Sequence, residues 1–522
     1  MNCCREPLLD DPQPSLPSIT VLAFALPSLG VGCLYLLYDV YVLKFSTDSL
    51  FIPPATMGVI FSLSRLWDAI SDPLAGYLSD ITRSNFGRRR MWMLCSAPPL
   101  GMAFACTFSP PLTLAGGGVK GSTALAGWML GSILTYYTAL TAFKMPSSAL
   151  GVELSEHAAY HERSRLYGYR SLLDGCGALL GVGLMALLMG QESAGPAAVR
   201  GVATRVGSAA GAFTTITIFV SVALLREASG RHIVARGNPF SAWASVLRSP
   251  HARLFTYVLV LHDGCKASFA NLAPFALEYV LLVPSAMVPV AIAAYLFSTV
   301  LAVPLWLALG RRFGKVNALW ASLVLNSVAY VPLLFVLSEE FVNYLSVPQR
   351  LVFACVCAGL IGVAASARNN LGESVMGDII DSDHAETRER KQGVFFSFWM
   401  FAQKSAGGCV TLSTGFLLDA SGFVPNEAQS YATKLAIAAM FGLVPAIAMV
   451  TAACLFSRFR LDEVAHAEVR ATIAKNENEA RASLVAEAPT AAAAALHTLT
   501  RGRCKSQQLQ QQQQVIGQPS LL

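Results

Sequence analysis

The sequence predicts an all-helical, polytopic membrane protein with about twelve transmembrane helices in two six-helix halves. Three observations support this prediction: 54% of the 522 residues are hydrophobic, only 13% are charged, and long apolar runs recur along the chain. A typical soluble domain carries about 25% charged residues, so this composition could not cover a surface in water. The lipid bilayer is therefore expected to be the solvent of an integral, multi-pass protein.

The apolar runs are each about 18–28 residues long, which is enough to cross ~30 Å of hydrocarbon as a helix. Hydrocarbon offers no partner to open backbone groups, so helices rather than strands are expected. The predicted spans are 19–43, 52–80, 91–113, 124–146, 169–190, 206–226, 253–281, 286–310, 317–338, 349–376, 393–418 and 432–457.

Polar segments divide the chain into five parts. The sequence predicts an N-terminal tail over 1–18, a six-helix bundle over 19–226, a central loop over 227–252, a second bundle over 253–457 and a disordered tail over 458–522. A short basic loop follows the second span of each half, GRRRMW at 87–92 and GRRFGK at 310–315. This spacing indicates two parallel repeats.

The basic residues of the loops predict the orientation. They cluster in loops that fall on one side of the membrane, including Arg83, Arg163, Arg226, Arg311 and Arg388. Basic loops are retained in the cytosol, so both termini are expected to be cytosolic. Either the plasma membrane or an endomembrane fits this pattern.

Several functional classes are not expected from the sequence. No basic stripe interleaved with aromatic residues indicates nucleic-acid binding. No Ser-His-Asp order, HExxH or paired-Cys motif indicates an enzyme, a resident cofactor or a metal centre. The chain is expected to act as a monomer. A transport-inactive scaffold or sensor remains the alternative from another class.

Charges inside the apolar runs carry the functional prediction. Asp68 and Asp72 lie four residues apart in the second span, on one helix face, and Lys404 lies inside the eleventh span. Each such charge costs about 2.5–3.5 kcal/mol in the membrane unless it faces water or an opposite charge. The three residues are therefore predicted to form a site for a small cation. In the alternative, Asp68 pairs with Arg65 and only joins helices.

Three separated motifs resemble a known family. The run RLWDAISDPLAGYLSDITRSNFGRRRMW at 65–92, GDIIDSD at 377–383 and SGFVPNEAQS at 421–430 are similar to the glycoside–pentoside–hexuronide cation symporters. This family of the major facilitator superfamily includes the melibiose permeases and, more distantly, sodium-coupled lysophospholipid transporters. The resemblance implies the major facilitator fold and a sodium- or proton-coupled symporter that works by alternating access.

The resemblance also implies roles for individual residues. The coupling cation would be held by the acidic pair with a polar neighbour, a threonine of the fourth helix and a lysine of the eleventh, which are Asp68, Asp72, Ser71, Thr141 and Lys404.

At the positions where melibiose permeases hold sugar, this sequence has Gly32, Lys144 and Arg170, and only Arg170 agrees. Asn369 is a further candidate for substrate binding. Carbohydrate transport therefore follows from the resemblance, whereas Lys144 and Arg170 favour an anionic or zwitterionic group on a small organic solute. A lysophospholipid is the alternative substrate.

Charged residues near the predicted cytosolic ends of helices are candidates for gating. They are Arg88, Arg89 and Arg90 after the second span, and Asp378, Asp381 and Arg390 after the tenth.

Overall fold

The computed structural model describes residues 16–111, 113, 119–154, 160–225, 243, 246–388, 392–476 and 478–479. These residues contain no strand, and they form twelve long helical segments, each of which overlaps one predicted span. We number them α1 (Ser18–Ser49), α2 (Pro54–Ile81), α3 (Arg88–Phe108), α4 (Val119–Leu154), α5 (Tyr160–Met189), α6 (Pro196–Leu224), α7 (Pro250–Phe275), α8 (Ser285–Phe313), α9 (Lys315–Leu337), α10 (Val347–Thr387), α11 (Gln392–Ala420) and α12 (Tyr431–Phe456).

Some boundaries differ from the predicted spans. Helix α6 begins at Pro196, ten residues before the predicted start, because Pro is favoured at a first helical position and Gly195 supplies a φ of 94° before it. The charged residues Arg200 and Arg205 therefore lie in the helix, although they interrupt the apolar run. Helix α10 continues to Thr387 beyond its apolar part.

Within the described residues, eight of the twelve segments are apolar enough to be recognised as membrane spans from length and composition. The other four are α2, α4, α7 and α11. Each of these four helices carries charged residues at interior positions. They are Asp68 and Asp72 in α2, Lys144 in α4, Asp263 in α7 and Lys404 in α11. Charged residues at such positions need protein partners or water rather than lipid. The least apolar helices are therefore the ones expected to surround a functional site.

Close contacts between helices depend on glycine. Helix α2 packs along α11, which joins the first half to the second. A Cβ added to Gly415 would lie 2.5 Å from the backbone oxygen of Pro54 and 2.9 Å from the Cα of Gly58. The two helices can therefore approach to backbone contact only where both residues lack a side chain. This contact lies at the end of the bundle where α1 ends and α2 begins, which we call the α1–α2 end.

The described residues fall into two compact units. The larger consists of those within 1–376 and 392–460, and the smaller of those within 377–391 and 461–522. Residues 463–476 of the smaller unit form a helix, although the sequence analysis assigned the tail from 458 to disorder. His466 is buried in this helix, whereas Val464 is exposed.

Candidate functional site

Asp68 and Asp72 lie one turn apart on α2, as their spacing predicts, with only 4% and 8% of their surface exposed. Thr141 of α4 lies between them. Its hydroxyl oxygen is 2.6 Å from Asp68 Oδ1 and 2.9 Å from Asp72 Oδ1. A hydroxyl has one proton, so Thr141 can donate to only one of the two carboxylates at a time.

The ammonium of Lys404 reaches the same two carboxylates from α11. Its Nζ lies 2.7 Å from Asp68 Oδ2 and also forms an ion pair with Asp72. One positive and two negative charges leave a net charge of −1 at a buried point. A buried net negative charge is electrostatically favourable for a further cation.

Ser71 adjoins this cluster without contacting a carboxylate. Its buried hydroxyl donates to the backbone oxygen of Asp68 at 3.2 Å. The structure therefore brings together four of the five residues that the resemblance assigned to the cation, and it places Ser71 beside them. We call Asp68, Asp72, Thr141 and Lys404 the carboxylate site.

Arg65 pairs with Asp39 of α1, and not with Asp68 as the alternative prediction had it. The guanidinium carbon also lies 5.2 Å from the centre of the Tyr137 ring, which is a cation–π distance. Since Arg65 is satisfied elsewhere, Asp68 remains available to the carboxylate site.

The predicted substrate residues of the first half lie near one another. Lys144 Nζ donates to the Tyr35 hydroxyl at 3.2 Å, and Arg170 donates to the Ser148 hydroxyl at 3.3 Å. Both cations act electrostatically on the Asp174 carboxylate, as does Lys266 of the second half. These residues therefore share one polar region that both halves contribute to.

That region is accessible to water. Asp174, Lys266 and Asn369 are exposed although each lies in the middle of a long helix, and Asp39 is partly exposed. Charged and amide side chains at such depth indicate a water-filled cavity rather than lipid.

The second half adds a polar cluster that the sequence analysis did not assign. Arg368 of α10 pairs with Asp263 of α7 at 2.8 Å, and Nδ1 of the buried His262 lies 3.4 Å from Asp263 Oδ1. Charged residues within predicted spans were the sequence signal for this cluster. The sequence alone, however, does not show which of these residues contact each other in the fold.

Gly32 lies at a helix contact. A Cβ at this position would lie 2.4 Å from the backbone oxygen of Asp174, so Gly32 lets α1 approach α5 and offers no side chain to a substrate.

We expect Gly32→Ala to lower the melting temperature of the purified protein, because the two backbones must separate, at a cost of about 1–3 kcal/mol. Gly183→Ala in α5 is the matched control, since a Cβ there meets no described atom within 4 Å. An equal effect of both substitutions would contradict the role of Gly32 in this contact.

The predicted gating arginines contact their own half. Arg88 and Arg89 both bind the carboxylate of Glu153, at 2.6 Å and 2.8 Å. Arg90 donates to the backbone oxygen of Val222 at 2.7 Å. These bonds connect α3 with the ends of α4 and α6.

The predicted gating acids lie in the smaller unit. His466 of the tail helix lies 3.1 Å from Asp381 and 3.4 Å from Asp378. Arg390, the remaining gating candidate, lies outside the described residues.

Sequence analysis missed a polar cluster at the α1–α2 end. Lys44 is 1% exposed and contacts three carboxylates, those of Asp48, Glu192 and Glu278. The spacing of Lys44 and Asp48 could have indicated a local pair. Glu192 and Glu278 follow other helices, and nothing local in the sequence links them to Lys44.

Comparison with known proteins identifies the family. A model of the MFS/sugar transport protein family matches residues 23–463. The chain belongs to this family. Membership confirms the major facilitator fold and an integral, multi-pass membrane protein, and it places the chain in a family of transporters. The predicted resemblance to major facilitator symporters is confirmed as well.

Two named relatives each share about a quarter of their aligned residues with this chain. The sodium-dependent lysophosphatidylcholine symporter 1 of Xenopus tropicalis is 24% identical over 456 residues, which cover 80% of this chain and 82% of that protein. The inner membrane symporter YicJ of Escherichia coli (strain K12) is 24% identical over 445 residues, which cover 83% of this chain and 90% of that protein.

Solved structures show the same fold at lower identity. The nucleoside transporter NupG superposes with a TM-score of 0.58 at 12% identity, over 83% of this chain and 98% of that one. A bacterial homologue of the iron transporter ferroportin superposes with a TM-score of 0.58 at 14% identity, over 85% of this chain and 99% of that one.

Proposed function

We propose that this protein is a cation-coupled symporter that carries a small organic solute by alternating access, with the coupling cation at the carboxylate site. The observation that carries the proposal is the meeting of Asp68, Asp72 and Thr141 with Lys404 at one buried point. Helices α2 and α11 belong to different halves, so a cation bound there acts on the contact between the halves.

Charge balance explains how a cation could be coupled to transport. With the site empty, the Lys404 ammonium offsets one of the two carboxylates. A bound sodium ion or proton offsets the other and brings the net charge of the site to zero. Neutralisation lowers the cost of burying the site when the cavity closes. Because linkage is reciprocal, a solute that favours the closed state should tighten cation binding by the same factor.

The conformation fits one state of such a cycle. The α1–α2 end is closed by the glycine contact between α2 and α11. If the basic loops are cytosolic, as the positive-inside rule predicts, this end faces away from the cytosol. In that orientation the state we propose is inward-facing, with the cavity open to the cytosol.

The cavity supports a substrate with a negative group. Lys144 and Arg170 of the first half and Lys266 of the second all act electrostatically on a single carboxylate, that of Asp174. An arginine can bind a carboxylate or phosphate through two parallel hydrogen bonds. An anionic or zwitterionic solute therefore fits this set better than a neutral sugar.

Thermal stability of the purified protein against a panel of solutes, with and without sodium, tests the proposal. We expect sodium, or acidification if the proton is coupled, to raise the melting temperature, and anionic or zwitterionic solutes to raise it further. A ligand at 100 times its Kd stabilises by about 2.7 kcal/mol. Lys144→Ala should remove most of the response to an anionic solute and little of the response to a neutral one.

Lys434→Ala, which alters a partly exposed pair with Glu339, is the control for that variant. Stabilisation by neutral sugars alone, unchanged in Lys144→Ala, would overturn the assignment of the substrate.

A lysophospholipid is a second candidate substrate. The relative from Xenopus tropicalis is named for lysophosphatidylcholine, and an apolar groove of about 500 Å³ opens between α2, α3 and α4. Trp67, Pro99 and Leu134 line this groove, and Trp67 donates to Thr138, one turn from Thr141. The groove could accept an acyl chain beside the carboxylate site. Stabilisation by lysophosphatidylcholine, but not by its soluble headgroup, would favour this candidate.

A further inference from the structure

The cluster around Lys44 connects the two halves at the α1–α2 end. Lys44 Nζ lies 2.7 Å from Asp48 and 3.1 Å from Glu192, both in the first half, and 2.8 Å from Glu278 in the second. The side chain of Lys44 is 1% exposed, so these pairs are shielded from water. A shielded ion pair is screened little by salt and depends strongly on its geometry.

Hydrogen bonds reinforce this connection. The Tyr279 hydroxyl donates to Asp48 Oδ2 at 2.7 Å, and the Asn426 amide donates to the backbone oxygen of Asp48 at 2.8 Å. The backbone N–H of Asn426 in turn donates to the Tyr279 oxygen at 3.2 Å. Two segments of the second half therefore converge on one acidic residue of the first. We call Lys44, Asp48, Glu192, Glu278, Tyr279 and Asn426 the outer cluster.

The backbone of the outer cluster is unusual in the same way in both halves. Asp48 lies in a π turn at Phe45–Ser49, and Glu278 and Tyr279 lie in a π turn at Ala276–Val280. Phe51 and Leu282, each two residues beyond its π turn, have φ angles of 56° and 54°. Bulky residues rarely adopt positive φ, and such strain concentrates at functional sites and moving segments. The first helix of each half therefore ends in a strained segment, and the two segments meet.

Two of the three carboxylates around Lys44 lie in its own half, so the contact between the halves can break without leaving Lys44 unpaired. When the halves separate, Lys44 keeps Asp48 and Glu192 as partners within its own half, so its charge remains neutralised. Glu278 and Tyr279 instead leave with the second half and become hydrated. A contact in which the shared cation never loses all its partners avoids the large penalty of a buried, unpaired charge.

We propose that the contacts of Glu278, Tyr279 and Asn426 with Lys44 and Asp48 form the gate that closes the α1–α2 end, and that the release of Glu278 and Tyr279 opens it. This role goes beyond the proposed symport, because it does not depend on which ion or solute is carried. It also differs from the sequence prediction, which placed the gating residues at the opposite ends of the helices.

Accessibility of a thiol next to Asp48 tests this proposal. Ser49→Cys provides a near-isosteric probe at a position that is 4% exposed, within the π turn of α1. The purified protein is treated with a small water-soluble maleimide, and mass spectrometry of the peptide containing residue 49 measures the reaction without interference from native cysteines. We expect Glu278→Gln to accelerate labelling about fivefold or more, because a shielded charge pair between the halves is lost. Tyr279→Phe, which removes one oxygen atom, should accelerate it in the same direction.

Two matched controls separate a gate from a merely structural cluster. Glu192→Gln removes a partner of the same ammonium within one half, and Glu339→Gln removes a surface pair with Lys434 at 2.9 Å within the other half. Glu339→Gln should change the labelling rate by less than about twofold, because its partly exposed pair lies within one half. Glu192→Gln should not accelerate labelling, because its contact with Lys44 does not join the halves. Unchanged labelling in both Glu278→Gln and Tyr279→Phe would overturn the proposal, as would an equally large effect of Glu192→Gln. The readout requires no transport, so a failure of the proposed symport would not affect it.

Discussion

Replacement of Asp72 by asparagine is expected to abolish the response of the protein to its coupling cation. In the wild type, two carboxylates and one ammonium give the carboxylate site a net charge of −1. In Asp72→Asn, Asp68 and Lys404 neutralise each other, so no charge remains to attract a cation. The fold should persist, because an amide of the same shape replaces the carboxylate and the remaining charges are paired. We expect cation affinity to fall at least about tenfold, which corresponds to about 1.4 kcal/mol.

The measurement is the sodium-induced rise in melting temperature of purified protein, compared with potassium at equal ionic strength and repeated across pH for the proton. Asp419→Asn is the matched control, since it makes the same chemical change at an exposed position of α11. It should respond like the wild type. A full wild-type response in Asp72→Asn would show that the cation binds elsewhere.

Replacement of Lys404 by alanine is expected to increase the sodium-induced rise in melting temperature, whereas Asp72→Asn is expected to remove it. Without the ammonium, Asp68 and Asp72 face each other with no countercharge. Removal of one partner from a buried ion pair costs about 3–5 kcal/mol. The cation-free protein should therefore melt at a clearly lower temperature. Sodium should recover part of that loss, so the sodium-induced rise should exceed that of the wild type.

Lys434→Ala is again the matched control, because its ion pair with Glu339 is partly exposed. Such a pair contributes about 0–1 kcal/mol, and its loss should leave the sodium response unchanged. If Lys404→Ala lost the sodium response altogether, the ammonium would be a necessary part of the bound state rather than a substitute for the cation.

The sequence predicted much of the carboxylate site because two of its members lie on one helix. The spacing of Asp68 and Asp72 places them on one face without reference to any other part of the chain. Their meeting with Thr141 and Lys404 depends on how three helices, α2, α4 and α11, pack together, and it was expected only through resemblance to a family.

The outer cluster could not be predicted in the same way. Glu192 lies in a short turn after α5, and Glu278 lies in the π turn after α7. Each looks like an ordinary acidic residue at the end of an apolar run. Lys44 and Glu192 are 148 residues apart, and no local pattern encodes that pairing. The resemblance assigned Gly32 to substrate binding from its distance along the chain to Asp68. In the structure, the missing side chain of Gly32 instead allows α1 to contact α5.

The distance along the chain between Asp72 and Lys404 has a consequence for biosynthesis. The two residues are separated by 332 positions. At ~5–20 residues per second, a ribosome needs roughly 20–60 s to reach the lysine after it has made the aspartate. During that interval α2 must be accommodated in the membrane with two acidic side chains whose basic partner does not yet exist. Protonation or retained water would have to neutralise them until α11 arrives, so insertion of the first half should be sensitive to anything that delays the second.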